Sequence, residues 1–278
     1  MNDIKKDLIY AGIVTFNPDI ERLSENIESV INQVSSIVIF DNGSENINEI
    51  TRLAENNNVF VIKSTKNVGI AKGLNEIFQN VVEQSYNWVL TLDQDSICPN
   101  NLICEFEKES SNFQNVGIFC PIIDDLNRNQ KEIISNDAIE VKNCITSASL
   151  TSIQAWKDID GFDESLFIDN VDFDFCKRLR INNFKIVQVR SVALSHEIGK
   201  VTNYTIFGKT FTPMNHSAFR KYYIARNSIY FGKKFRDESV FRGVLRNGKL
   251  FLMTLFFENQ KKDKLKAICK GFYDGIKM

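Results

Sequence analysis

Trp88-Val89-Leu90-Thr91-Leu92-Asp93-Gln94-Asp95 runs five apolar or β-branched residues straight into two carboxylates. A short run of this kind reads as a strand, and its unbroken apolar character fits a sheet covered on both faces. Upstream, Leu8–Phe16, Ile37–Phe40 and Val59–Ile62 repeat the pattern. The intervals between them carry helical spacing. Leu23, Ile27, Val30, Ile31 and Val34 mark one face of Ile20–Val34, and Ile70–Val82 continues likewise. Asn46 and Glu49 have the spacing of a capping box, which predicts a helix start there. Downstream, Leu102–Glu109 reads as helix and Val116–Cys120 as a fifth strand. Such alternation predicts a Rossmann-like, mostly parallel α/β sheet with helices on both faces.

In an open sheet of that type, ligands bind beyond the carboxyl ends of the strands. Three polar segments fall there: Thr15-Phe16-Asn17, Asp41-Asn42-Gly43-Ser44 and Asp93-Gln94-Asp95. Carboxylates one residue apart can converge on one hard cation, and Mg²⁺ or Mn²⁺ takes a few carboxylates together with phosphate oxygens. Such an ion neutralises charge that builds up on a leaving diphosphate. A bare Asp-x-Asp also fits a solvated turn, so its position after the fourth alternating strand gives it weight. Asp41 and Asn42 can read a nucleobase edge, and Gly43 permits a tight turn. Asn67-Val68-Gly69-Ile70-Ala71-Lys72-Gly73-Leu74-Asn75 leads into a helix. Its glycines let backbone approach either a ligand or the sheet.

Beyond Pro121 the alternation loosens. Asp124–Gln130 reads as turn-rich, Ile139–Thr151 as strand-like, Asp172–Ile181 as helix and Phe184–Val189 as another strand. Asp169, Asp172 and Asp174 cluster near the start of that helix, where carboxylates gain from the helix dipole. A carboxylate there could instead act as general base for a hydroxyl. His196 follows the strand-like Val192–Leu194 and fits either a structural role or a metal ligand.

The chain has 278 residues and is 43% hydrophobic, which suits one large α/β domain with an appendage or two small domains. None of the six cysteines forms a CxxC pair, so a zinc site is not expected and buried free thiols are. With no secretory signal, the reading is cytoplasmic. No apolar run approaches the ~20 residues needed to span a bilayer. The net charge of −1 hides an asymmetry: residues 1–195 carry 17 Lys+Arg against 29 Asp+Glu, and residues 196–278 carry 17 against 6. The basic third suggests an anionic partner such as a membrane face, or pairing between the two parts. It has helix patterns near Ser217–Phe231 and Val240–Phe257. Within the latter, Leu250–Phe257 is apolar, and Lys261, Lys262, Lys264, Lys266 and Lys270 follow. That run fits a seat on the inner membrane face, packing on the core, or a homodimer contact. No nucleic-acid motif accompanies it.

Taken together, these segments resemble the family 2 glycosyltransferases of the GT-A fold, and most nearly their bacterial rhamnosyltransferase branch. The matching pieces are Val14–Asn17, Asp41–Ser44, Asn67–Asn75, Asp93–Asp95, Gly161-Phe162-Asp163, Phe167–Arg178 and His196-Glu197-Ile198-Gly199, with Arg220–Asn227 also alike. The resemblance implies that Thr15, Asn17 and Asp41 line the nucleotide pocket, with Asn67, Gly69 and Lys72 near base, ribose or diphosphate. It further implies that Asp93 holds the ribose or assists the metal, with Gln94 beside it. Asp95 becomes the principal ligand of a divalent cation, Mg²⁺ or Mn²⁺, and His196 a further one. Asp172 becomes the catalytic base, with Asp169 as fallback, while Asp174 and Arg178 brace the helix. Relatives often carry Glu-Asp where this chain has Val171-Asp172.

The implied reaction is an inverting transfer of a sugar from a nucleotide-diphosphate donor, best dTDP-L-rhamnose. The acceptor would be a hydroxyl of a growing surface polysaccharide or O-antigen, borne on polyprenyl diphosphate. A UDP-hexose or GDP-sugar donor stays open. The expected layout is a catalytic domain over 1–200, its donor half about 1–120 and acceptor half about 121–200. A mostly helical region over 201–278 would complete the chain. Two other readings compete. A sugar nucleotidyltransferase would open with a Gly-rich, Arg- and Lys-bearing loop where Thr15-Phe16-Asn17-Pro18-Asp19 stands. A non-catalytic sugar-nucleotide binder would need none of the acids.

Overall fold

The structure is a computed structural model that describes residues 4–57, 59–84, 86–125, 135, 137–196, 204–206, 209–211 and 213–278. The chain divides into two compact units, Met1–Ser165 with Asp172–Glu197 and Leu166–Val171 with Ile198–Met278.

The first unit is built on one eight-stranded sheet. Its opening half reads β1 (Ile9–Thr15), α1 (Ile20–Val30), β2 (Ser36–Asp41), α2 (Ile47–Asn56), β3 (Phe60–Lys63), α3 (Ile70–Val82), β4 (Trp88–Asp93) and α4 (Leu102–Ser110). The remainder is β5 (Val116–Asp125), β6 (Ala138–Glu140), β7 (Ser149–Ser152), α5 (Ile153–Asp158), α6 (Val171–Ile181) and β8 (Lys185–His196). The strand order is β3-β2-β1-β4-β7-β5-β8-β6. All but β6 and β7 run parallel. The expected Rossmann-like sheet is therefore present, with an antiparallel strand wedged between β4 and β5. Every residue of β1 is buried, as a strand covered on both faces requires. Because β2 and β4 flank β1 on opposite sides, the chain changes winding direction there, and a crevice opens at the strand ends.

Local departures from the sequence reading have physical causes. β3 is an edge strand, and Phe60 is 59% exposed, so its apolar run is not covered twice. Asn46 makes no capping hydrogen bond; its Nδ2 donates to the Pro18 carbonyl instead, at 2.9 Å. Ile139–Thr151 is not one strand but β6 and β7 joined by irregular chain. Phe184–Val189 and Val192–Leu194 merge into β8, and the register against β5 shifts at Pro121/Ile122. Pro121 brings no N–H to that ladder. The Asp124–Gln130 excursion lies largely outside the described residues, and β5 runs on to Asp125. Cys104 and Cys269 are exposed, which corrects the expectation of wholly buried thiols; Cys98, Cys120 and Cys176 are buried and Cys144 is half-buried.

The second unit contains a small hairpin, β9 (Tyr204–Ile206) with β10 (Lys209–Phe211), and the helices α7 (Ala218–Lys234), α8 (Val240–Phe257) and α9 (Lys261–Lys277). Glycines let the helix backbones approach closely: a Cβ on Gly275 would fall 2.5 Å from the Arg226 carbonyl oxygen. A charged cluster is sealed inside this unit. Glu258 accepts from Lys221 Nζ at 2.5 Å and from Lys264 Nζ at 3.2 Å, with all three residues at most 3% exposed. Lys264 also donates to Asn215 Oδ1 at 2.6 Å. Burial lowers the Lys221 pKa, and the hydrogen bond it donates to Glu258 opposes that shift. Lys264 is thus an internal cation rather than part of a solvated basic run. Among the described residues, no helix is long and apolar enough to cross a membrane.

Candidate active site

At the carboxyl ends of β1 and β2 the register pairs Thr15 with Asp41. Asp41 is 1% exposed, and its carboxylate is oriented by three contacts within the turn. Oδ1 accepts from Thr15 Oγ1 at 3.3 Å, while Oδ2 accepts the Gly43 and Ser44 N–H groups at 3.2 and 3.1 Å. This Asx-type turn needs Gly43, whose φ is +81°, and a Cβ there would strike Lys66 backbone at 2.7 Å. Asn17, also left-handed at φ 46°, is locked to the same turn. Its N–H donates to Ser44 Oγ at 2.8 Å, and its Oδ1 accepts the Glu45 N–H at 2.8 Å. The Asn42 side chain accepts the Val68 N–H at 2.7 Å, and Asn67 Oδ1 accepts the Gly69 N–H at 3.0 Å, where φ is +91° as α3 begins. Thr15, Asn17, Asp41, Asn67 and Gly69 therefore share one turn cluster.

Lys72 lies on the first turn of α3 but points into carboxylates. Its Nζ is 2.9 Å from Glu76 Oε1 and 3.2 Å from Glu164 Oε1, and the Glu76 hydrogen bond raises its pKa. Asn75, on the same helix, spans to the Gly161–Phe162 turn. It donates to the Phe162 carbonyl at 2.9 Å and accepts from the Phe162 N–H at 2.8 Å and Trp156 Nε1 at 3.1 Å. Asn75 was quoted in the sequence without a role, and this bracing supplies one.

β4 delivers Asp93 beside Val14. The turn after it is held by its backbone. Asn26 Nδ2 donates to the Asp93 carbonyl at 2.7 Å, Arg22 Nε to the Asp95 carbonyl at 3.2 Å, and Gln94 Oε1 accepts the Phe16 N–H at 2.9 Å. Asp93 is half-buried and Asp95 exposed. Ile97 bridges Ser195, so the Asp93–Asp95 turn lies near the end of β8, where His196 stands opposite Asp125 in the ladder. The His196 side chain lies outside the described residues, as do Glu197, Ile198 and Gly199. Among the described residues no three His, Cys, Asp or Glu side chains converge as a preformed metal cage. Two carboxylates beside an open crevice nonetheless fit an ion that takes its other ligands from a diphosphate.

The segment Cys144–Ser149 joins the two sides of the crevice, and the sequence marks it only by the small-residue run Ser147-Ala148-Ser149. Thr91 Oγ1 donates to the Thr146 carbonyl at 2.5 Å, and the Ser96 and Ser147 hydroxyls meet at 2.5 Å, fastening it to β4 and the turn beyond. Its other end meets α6, with Cys144 Sγ 3.7 Å from Cys176 Sγ. Asp172, Thr146, Ser149, Phe162 and Cys176 line one small pocket. Asp172 is half-buried, one turn before Cys176, and its Oδ1 accepts the Phe173 N–H at 2.9 Å. A neighbouring cavity of about 200 Å³ is lined by Asn143, Ser147, Phe173 and Gln188, over a floor that includes Pro121 and Ile123. The contact with Cys120 and then burial push the Cys144 thiol up, and the contact with Cys144 and then burial push the Cys176 thiol up.

The other acids near α6 are committed. Asp174 is 1% exposed and pairs with Arg178 Nε at 2.6 Å; Arg178 Nη1 also donates to the Ile159 carbonyl at 2.7 Å. Within the second unit, Arg220 forks onto Asp169 with contacts of 3.0 to 3.3 Å. Asp169 and Asn170 are consecutive left-handed residues, φ 65° and 64°. Buried Asn227 clamps that turn through Nδ2, donating to the Ile168 and Asp169 carbonyls at 2.7 and 2.9 Å.

A mostly parallel sheet with an Asp-x-Asp turn at a strand end, an aspartate-capped turn beside it and a carboxylate on the helix α6 has the layout of a GT-A-type glycosyltransferase. The description "Glycosyl transferase family 2" matches residues 10–188. The chain belongs to that glycosyltransferase family. It is 28% identical over 246 residues to the dTDP-rhamnosyl transferase RfbF of Shigella flexneri, covering 81% of this chain and 80% of that protein. Solved structures agree on the fold. GalNAc-T7 with UDP, GalNAc and Mn²⁺ superposes at TM-score 0.64 with 14% identity, over 98% of this chain; the chain spans only 56% of that one. Staphylococcus aureus TarS 1-349 with UDP-GlcNAc gives 0.61 at 15% identity, over 95% of this chain and 80% of TarS. The mannosyltransferase PcManGT of Pyrobaculum calidifontis, with GDP-Man and Mn²⁺, gives 0.59 at 11%, over 99% and 78%.

Proposed function

We propose that this glycosyltransferase moves L-rhamnose from dTDP-L-rhamnose, with inversion, to a hydroxyl of a growing bacterial surface polysaccharide carried on polyprenyl diphosphate. The observation that carries the reading is the Cys144–Ser149 segment. It is hydrogen-bonded to β4 and the turn after Asp95 at one end and packed on the Asp172 helix at the other. This linkage supports the reading that donor and base act in one crevice. The rhamnose assignment is supported by the likeness to RfbF.

Asp41, oriented by the Gly43 and Ser44 N–H groups, reads the base, with Thr15, Asn17, Asn67 and Gly69 completing the nucleotide turn. Lys72 is drawn to the diphosphate by exchanging its two glutamate partners for phosphate oxygens. Asp93 and Asp95, with His196 as a further donor, would hold a divalent cation, Mn²⁺ or Mg²⁺, which supplies charge neutralisation for the leaving diphosphate. The acceptor sugar enters the cavity beside α6, where Phe173, 42% exposed, offers a ring face and Asn143 and Gln188 offer amides to hydroxyls. Asp172 removes the hydroxyl proton as the oxygen attacks the anomeric carbon from the side opposite the diphosphate. One displacement inverts the centre, and no covalent sugar–enzyme bond is needed.

The test is a panel of nucleotide sugars scored by thermal stabilisation with and without Mn²⁺. At one hundred times Kd a true donor stabilises by about 2.7 kcal/mol. dTDP-L-rhamnose should give the largest Mn²⁺-dependent rise in Tm. A larger rise with UDP-galactose, UDP-glucose or a GDP-sugar would replace the rhamnose assignment. No rise with any member would refute donor binding at this site.

A further inference from the structure

Helix α8 is amphipathic in the reverse sense for a packed helix. Its buried face is small and polar: Gly243, Asn247 and Thr254. Asn247 Nδ2 donates to the Ala225 carbonyl at 3.1 Å and to Ser228 Oγ at 2.7 Å, and a Cβ on Gly243 would fall 2.6 Å from the Ser228 carbonyl oxygen. The opposite face is apolar and open. Phe241 is 66% exposed, Leu245 57%, Leu252 53% and Phe256 65%, with Val244 and Leu255 alongside. At 100° per residue these side chains fall within one arc that points away from the Gly243–Thr254 contact. Arg242, Arg246 and Lys249 are exposed and follow one flank of that arc, and no acidic residue occurs in Val240–Phe257.

A continuous apolar stripe of this length on a surface marks an interaction site. We propose that its occupant is an anionic bilayer surface, with α8 lying in the interface plane. The apolar stripe enters the acyl boundary, and Arg242, Arg246 and Lys249 meet lipid phosphates. An amphipathic helix with cations along one flank has the chemistry of an interfacial anchor, not of a membrane span. Eighteen residues give a contact of about 27 Å. A second copy of the chain fits less well. Antiparallel pairing of two α8 helices about a twofold would bring both cationic flanks to the same side, with no carboxylate on either helix to answer them. The proposal differs from a membrane seat at Leu250–Phe257 with the α9 lysines. The stripe begins at Phe241, Thr254 is buried, and Lys264 is sealed by Glu258. It does not rest on the sugar-transfer reading, and either can fail alone.

Flotation of the full chain with vesicles decides it. Vesicles of phosphatidylglycerol and phosphatidylcholine should carry the protein, pure phosphatidylcholine should carry at least about tenfold less, and added salt should release it. The triple change Phe241→Ser, Leu252→Ser and Phe256→Ser alters only exposed side chains. It should cut vesicle binding at least about tenfold while Tm and donor-induced stabilisation stay as in the parent. Absence of binding to phosphatidylglycerol vesicles at low salt overturns the proposal. So does undiminished binding by the triple variant. A chain that is dimeric by light scattering, and becomes monomeric in that variant, overturns it in favour of a second copy.

Discussion

Asp172→Asn separates chemistry from structure, and the geometry sets the scale of each. The amide keeps an oxygen where Oδ1 accepts the Phe173 N–H at 2.9 Å, so the first turn of α6 keeps that contact. What is lost structurally is a negative charge at a helix start, worth about 0.3–1 kcal/mol. A domain stable by the usual margin of roughly 5–15 kcal/mol stays folded after such a loss. The chemical loss is larger. A positioned general base contributes about 10²–10⁴ in rate, or roughly 2.7–5.5 kcal/mol of barrier at 1.36 kcal/mol per decade. The assay is initial-rate transfer from dTDP-L-rhamnose, followed by nucleotide release. Donor affinity is measured by calorimetry and Tm by scanning fluorescence. The expected result is a kcat lower by at least a hundredfold, with donor Kd within about threefold and Tm within a few degrees. Turnover within tenfold of the parent would remove Asp172 from the reaction. A matching loss in donor affinity would make it a binding residue instead.

Four further outcomes follow from the same contacts. Asp95→Asn should abolish the Mn²⁺-dependent part of donor-induced stabilisation while leaving Tm without ligand nearly unchanged, since Asp95 is exposed and its bond to Arg22 uses the backbone carbonyl. Replacing buried Asn227 by Ala removes two part-buried hydrogen bonds to the carbonyls of the left-handed Asp169–Asn170 turn and should cost about 1–3 kcal/mol by urea denaturation. Glu258→Gln leaves two buried lysines without their shared anion and should cost about 3–5 kcal/mol, whereas Lys264→Met, which leaves the Lys221–Glu258 pair intact, should cost less. In native protein a thiol reagent should label Cys104 and Cys269 first. Burial pushes the Cys98 thiol to about 12, and contacts with Cys120 and Cys144, together with burial, raise Cys144 and Cys176 respectively, so these should react only on unfolding. Thiols in the unfolded chain ionise near about 8.5. The stability these three thiols contribute is therefore present below that pH and lost progressively above it, towards about 12 for Cys98.

How much of this could be read in advance follows from what each feature depends on. β1, β2 and β4 were legible because burial on both faces forces nearly continuous apolar runs, and a carboxylate is then admitted only at the strand ends. Asp41 and Asp93 stand there, with Thr15 beside Asp41. β7 was not legible, because four residues between irregular segments carry no periodicity, and its antiparallel insertion depends on partners about sixty residues away, Trp88–Thr91. Cys144–Ser149 was hidden for a related reason. It acts partly through the Thr146 carbonyl, a group every residue possesses, and through serines that look like loop filler. The small-residue run Ser147-Ala148-Ser149, in a stretch otherwise read as strand, was the available signal, and Ala148 at φ 56° shows why β7 begins only after it.

Charge deceived in both directions. Lys264 looked like one of a row of solvated lysines and is a buried partner of Glu258, because Glu258 falls six residues before it, at the entry to α9. Asp169 stood as the fallback base to Asp172, because chain proximity cannot tell which carboxylate Arg220 will claim from fifty-one residues away. Apolarity deceived as well. A run such as Leu250–Phe257 reads as core by default, yet α8 directs Leu252, Leu255 and Phe256 to solvent and Thr254 inward. A helix adopts that orientation against the hydrophobic effect only if close approach through Gly243 and Asn247 fixes it, or if its outer face is not destined for water. The first condition is visible in the helix contacts; vesicle binding tests the second.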